Sequence, residues 1–174
     1  MTVRIGIIGT GFARRVQLPG LRLVPGVQVT AISSGRRANA DAVAAEYAIP
    51  HVFDDGIELA RSGATDLVIV SSTPASHARY GVAALEAGRH VLCEKPLALD
   101  AAQAWRMVET AERRPGQVAW VDHELRYEPN RRRIRELVRD GTIGEVRHIE
   151  LLLKPYLRGD GRPQAPDADR KSVV

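Results

Sequence analysis

The sequence predicts an α/β protein built on a doubly wound parallel sheet. Two observations carry this. Short runs rich in Val and Ile recur at Val3–Ile8, Val27–Ile32, Asp66–Val70 and His90–Cys93, and near-continuous apolar runs suit strands buried on both faces. Helical patterns separate these runs, which makes βαβ units, and right-handed crossovers then wind the sheet in both directions. At 174 residues, 44% of them hydrophobic, the chain suits one domain, or one domain and part of a second.

The elements follow in order. Gly9-Thr10-Gly11 ends the first run, and a helical pattern starts near Phe12. Ser33-Ser34-Gly35 leads from the second run into the Ala-rich helix Asn39–Tyr47. His51–Phe53 reads as a third strand, Asp55–Arg61 as a short helix and Asp66–Val70 as a fourth strand. Ser76–Ala87 is helical and closes at Gly88, a cap position. After the fifth strand, His90–Cys93, Asp100 caps a helix that runs to about Arg113. Gln117–Val121 is a sixth strand, Asn130–Arg139 a helix and Val146–Leu153 a seventh strand. From Leu157 the chain is polar and rich in Pro and Gly, which predicts a disordered tail over 157–174.

Composition excludes several classes. Lys and Arg outnumber Asp and Glu by 25 to 21, too small an excess to argue for nucleic acid. The arginines of "RRRIRELVR" read as the wet side of a helix that buries Ile134, Leu137 and Val138. The single cysteine, Cys93, precludes an internal disulfide framework. No apolar run approaches a membrane span, and the first residues lack a signal peptide's pattern. The expectation is a cytoplasmic protein that binds neither membrane nor nucleic acid, with no metal site.

The glycine turn is the first functional signal. Gly9-x-Gly11 sits between a strand and a helix, the context a dinucleotide fingerprint requires. Gly9 allows the tight turn. Gly11 lets backbone N–H groups approach a pyrophosphate at the helix N-terminus. The third position of the motif is Arg14 rather than glycine. A glycine-rich turn with no ligand is the alternative. The end of the second strand then bears on the cofactor. An acid there would receive the ribose 2′-hydroxyl of NAD, but this chain has Ser34, Arg36 and Arg37. A hydroxyl and two cations favour the 2′-phosphate of NADP, with NAD as the alternative.

With that fingerprint, the chain resembles the Gfo/Idh/MocA oxidoreductases over roughly residues 3–155. The likeness rests on "GIIGTGFARR", "SSTPASH", "ALEAGRHVLCEKPLAL" and "ELRYEPNRRRIRELVRDGTIGEV". The resemblance implies an N-terminal Rossmann domain and a C-terminal α/β domain, with hydride transfer between nicotinamide and a sugar, polyol or related alcohol or carbonyl. It places Glu94-Lys95-Pro96 beside the nicotinamide, with Lys95 on the reacting oxygen and Glu94 pairing with Lys95 to orient it. It also places Gly9, Thr10, Gly11, Phe12, Thr73, Pro74 and His77 on the cofactor side; a purely structural role for His77 stands beside that. His123 and Arg126 follow the sixth strand and could border the substrate.

The likeness implies three regions: residues 1–123 as the dinucleotide-binding domain, 124–156 as the start of a second domain, and the tail. Family members carry an Asp-x-x-x-His motif in the second domain, and none of the five histidines here follows an Asp by four residues. The expectation is a chain shortened by a frameshift, a premature stop or a cut. The full-length form would associate with copies of itself. A non-catalytic dinucleotide-binding module or redox sensor is the competing reading.

Overall fold

The structure, a computed structural model, describes residues 2–151. Its sheet contains β1 (Val3–Ile8), β2 (Val27–Ser33), β3 (His51–Phe53), β4 (Leu67–Val70), β5 (His90–Glu94) and β6 (Ala119–Asp122). All pair in parallel, in the order β3-β2-β1-β4-β5-β6. This is the doubly wound order, whose switch point lies between β1 and β4. Side chains alternate between two cores. Ile5, Ile7, Ile32 and Ile69 join Leu18, Val43 and Ile49 in one cluster. Ile8, Val68 and Val70 join Leu59, Val82, Leu85 and Met107 in the other. Burial on both faces explains why the strands read as continuous apolar runs.

Five helices flank these strands: α1 (Leu18–Leu21), α2 (Arg37–Tyr47), α3 (Gly56–Arg61), α4 (Pro74–Glu86) and α5 (Ala101–Glu112). The helix expected from Phe12 is not a plain α-helix. Ala13–Gln17 is π-wound, and the Leu18 N–H donates to the Ala13 carbonyl five residues back. The helix expected from Ser76 starts at Pro74, whose missing N–H costs nothing in a first turn. Side chains cap two of these five helices: Asp55 accepts from the Ile57 N–H and Asp100 from the Gln103 N–H. Gly88 follows α4 at φ +82°. The sixth strand lies later than expected because its partner sets its extent, with Val91 opposite Ala119 and Glu94 opposite Asp122.

Arg4 ties the amino ends of β1 and β4 together. Its Nη2 and Nε donate to the two Asp66 carboxylate oxygens at 2.6 and 3.1 Å, and its backbone N–H donates to the same group. These bonds hold the Asp66 carboxyl down at about 2.

The chain divides into two units between Glu124 and Leu125. The second contains α6 (Pro129–Arg139), which Glu128 caps by accepting from the Arg131 N–H at 2.8 Å. Within this unit the expected apolar stripe is not buried: Ile134 is 59% and Val138 40% exposed. Nor do Val146–Leu151 form the expected seventh strand. A strand exists by pairing, and no described residue pairs with them. The rest of that strand, and the tail over 157–174, lie outside the described residues.

Candidate cofactor-binding site

The carboxyl ends of β1, β2 and β4 open into a cleft of about 520 Å³. Gly9, Thr10, Gly11 and Phe12 line it from the turn after β1, Ser33 and Ser34 from β2, and Ser71, Ser72 and Thr73 from the loop after β4. The two glycines meet different needs. Gly9 has φ +107°, and a Cβ there would lie 2.3 Å from the Ser71 carbonyl oxygen. It therefore permits the close approach of β1 and β4. Gly11 has nothing within 4 Å of its Cβ position, so its missing side chain leaves backbone open to the cleft. The hydroxyls of Ser33 and Ser71, both lining residues, are buried without a hydrogen-bond partner. An open glycine backbone at a helix start, with unpaired hydroxyls around it, fits the pyrophosphate and ribose of a dinucleotide.

The predicted site residues divide at this cleft. Gly9, Thr10, Gly11, Phe12, Ser34 and Thr73 line it; Pro74, His77, Glu94, Lys95, Arg36 and Arg37 do not. Ser34 Oγ lies 3.3 Å from Thr10 Oγ1. Arg37 is already engaged: its Nε donates to Asp41 at 2.8 Å and its Nη1 to Asp54 at 2.7 Å. Arg36 is exposed at the start of α2.

His77, expected on the cofactor side, does not line this cleft. It is 1% exposed, with Nδ1 2.8 Å from the Pro96 carbonyl oxygen and Nε2 3.1 Å from that of Ser72. The ring can donate to either and bridges the loops that follow β4 and β5.

The Glu94–Lys95 pairing is also corrected. Glu94, the last residue of β5, is 8% exposed. It accepts a 2.8 Å hydrogen bond from Gln17 Nε2. Burial, and then the charge of Asp122 on the neighbouring strand, push its carboxyl above the ordinary range. Lys95 pairs with Glu124 instead, Nζ to Oε1 at 3.4 Å, and both are about half exposed. The Glu124 carboxyl is lowered by its own backbone N–H and, less strongly, by Lys95. Successive strand residues point to opposite faces, which explains why adjacent residues at a strand end serve different partners. The Lys95–Pro96 bond is cis.

Sequence reasoning missed Gln17 and Asp54. Gln17 meets Glu94 across 77 positions, and no spacing rule reaches that far. Asp54 lines the cleft from the end of β3; a search of the ends of all strands, beyond the second alone, would have included it. His123 follows β6 and is exposed, and Arg126 lies in the second unit on the short turn Glu124–Tyr127. Among the described residues no cluster of His, Cys, Asp or Glu could hold a metal ion, and no helix is long and apolar enough to cross a membrane. Cys93 is buried, its thiol pushed up to about 12 by burial and then by Glu94, which leaves it unreactive.

A doubly wound parallel sheet, a glycine turn at its switch point and a polar cleft above it define a Rossmann dinucleotide-binding domain. The chain belongs to the Gfo/Idh/MocA family: the family described as oxidoreductases with an NAD-binding Rossmann fold matches residues 3–123. It is 35% identical to inositol 2-dehydrogenase 3 of Saccharopolyspora erythraea over 145 residues, which cover 83% of this chain and 43% of that one. A 3-ketoreductase from Actinomadura kijaniata, solved with NADP and TDP-benzene, superposes with TM-score 0.74 at 32% identity, covering 84% of this chain and 45% of that one. A scyllo-inositol dehydrogenase from Lactobacillus casei, solved with NAD(H) and scyllo-inositol, gives TM-score 0.78 at 25% identity, covering 83% and 43%. The chain thus spans less than half the length of these relatives.

Proposed function

We propose that this chain is the cofactor-binding part of an NADP-dependent oxidoreductase that moves a hydride between nicotinamide and a polyol, sugar or related ketone. The observation that carries this reading is the cleft at Gly9–Phe12, with open backbone at Gly11 and unpaired hydroxyls at Ser33 and Ser71. The relatives named above, two acting on inositols and one a ketoreductase, support the substrate class. A bound nicotinamide supplies the two-electron chemistry.

The chain's own residues have the remaining tasks. Backbone N–H groups of Gly11 and Phe12 hold the pyrophosphate. Ser34, Arg36 and Arg37 receive the adenosine ribose and its 2′-phosphate; Arg37 does so by exchanging one of its carboxylate partners. Thr73 and Pro74 flank the nicotinamide end. Lys95, half exposed at the end of β5, donates a hydrogen bond to the reacting oxygen and stabilises negative charge there. Glu94 holds the strand end in place through Gln17. His123 is this unit's candidate contact to substrate. The full-length protein would supply the rest of the substrate wall and the contacts between copies.

Fluorescence titration of the chain with NADPH and NADH tests the reading. Tighter NADPH binding, weakened when Arg36 and Arg37 become Ala, is the expected outcome. A folded chain that binds neither cofactor would refute it.

A further inference from the structure

Ser33 and Phe53 are in register across β2 and β3. The residues that leave these strands, Ser34 and Asp54, therefore emerge as neighbours at the carboxyl edge of the sheet, and both line the cleft. In NAD-binding Rossmann domains an acid at the end of the second strand receives the ribose 2′-hydroxyl. Here that position is Ser34, and the adjoining strand supplies a carboxylate at the same edge.

Asp54 is not idle. It accepts from Arg37 at 2.7 Å, and Arg37 is held on its other side by Asp41 at 2.8 Å. The Arg37 and Asp54 side chains are 49% and 71% exposed, and an ion pair that open to water exchanges partners at little cost. A 2′-phosphate can draw Arg37 from Asp54 by charge-assisted hydrogen bonds. A 2′-hydroxyl makes the opposite demand, since it donates to a carboxylate. We propose that Asp54 is the acid that receives the adenosine ribose 2′-hydroxyl, and that the Arg37–Asp54 pair lets one site hold NADH as well as NADPH. The inference rests on the dinucleotide reading above but not on its NADPH preference.

The test is titration of the 174-residue chain, Asp54→Asn and Arg37→Gln with NADPH and with NADH. Asn preserves the volume of an exposed side chain, and α3 keeps its own cap at Asp55, so the variant should fold; circular dichroism verifies that. Asp54→Asn should weaken NADH about 5- to 10-fold while NADPH binds as well or better. Arg37→Gln should weaken NADPH about 10-fold and spare NADH. An NADH affinity for Asp54→Asn within about twofold of the parent, or an equal loss for both cofactors, overturns the assignment. A parent that prefers NADH and loses it on Asp54→Asn removes the NADPH preference and upholds Asp54. A folded parent that binds neither cofactor overturns both.

Discussion

Gln17 donates a 2.8 Å hydrogen bond to Glu94 and so ties the helix after the glycine turn to the end of β5. The π-wound segment Ala13–Gln17 ends at this residue, and such segments are frequent at functional sites. Glu94 lies in an environment that disfavours its charge, through burial first and Asp122 second. Its folded pKa is raised above the ordinary 4.5. Below that ordinary value both folded and unfolded forms are protonated and the group costs nothing; as pH rises above it, ionisation penalises the folded state. Glu94→Gln retains an oxygen for Gln17 and has no charge to bury. Its stability relative to the parent should grow as pH rises above 4.5, measured as urea midpoints at several pH values. A pH-independent difference would count against this account.

The bridge made by His77 gives a second prediction. The ring spans the Ser72 and Pro96 carbonyls at 3.1 and 2.8 Å, linking the loop that lines the cleft to the one that bears Lys95. His77→Ala should lower stability by about 2–4 kcal/mol, through a cavity and the loss of the ring's N–H donor between the two carbonyls. His77→Asn, which keeps an N–H donor, should recover part of that. At a temperature where both variants are folded, NADPH should bind His77→Ala more weakly while 2′,5′-ADP, which lacks the nicotinamide half, binds as before. Equal weakening of both ligands would show damage beyond these loops.

The two glycines of the turn should respond differently. Gly9→Ala would place a methyl group 2.3 Å from the Ser71 carbonyl oxygen at φ +107°, and should destabilise the fold by about 2 kcal/mol or more. Gly11 has open space at its Cβ position, so Gly11→Val should retain most of the thermal stability but lose dinucleotide binding at least about tenfold. Thermal melts and NADPH titrations of the two variants separate these roles. Comparable melting losses for both would contradict them.

Arg4 and Asp66 contribute to the acid limb. The Asp66 carboxyl is held at about 2, below its ordinary 3.8, chiefly by hydrogen bonds from the Arg4 side chain and backbone. A carboxylate with a lowered folded pKa contributes stability above its unfolded pKa and loses it as pH falls through the folded value. The pair is partly exposed, 44% and 34%, so solvent screening keeps its contribution small. Asp66→Asn should therefore be less stable than the parent at pH 6, with the gap narrowing from about pH 4 to pH 2 in urea titrations. A gap that persists undiminished at pH 2 would assign the effect to packing.

Much of the fold was legible because its signals are local. Continuous apolar runs mark strands buried on both faces, and Val3–Ile8 and His51–Phe53 fall where the residues place them. Gly9 and Gly11 identify the turn, and Asp100 marks the start of α5. Boundaries shifted where a neighbour decided them, as in β6, whose extent follows its pairing with β5. The stretch Val146–Leu151 has an apolar pattern and no strand, because pattern offers a strand and only a partner makes one.

The sequence by itself determined the winding of the sheet, the place of the glycine turn and which residues carry charge near it. The tertiary structure alone decided which of those groups meet. It gave Glu94 to Gln17 and Lys95 to Glu124, buried His77 between two carbonyls, and set Asp54 beside Ser34. The reason is physical. Periodicity and turn chemistry act over a few residues along the chain, whereas a parallel sheet brings the ends of distant strands to one edge. There, register and the alternation of side chains, which no local motif encodes, select each residue's partner.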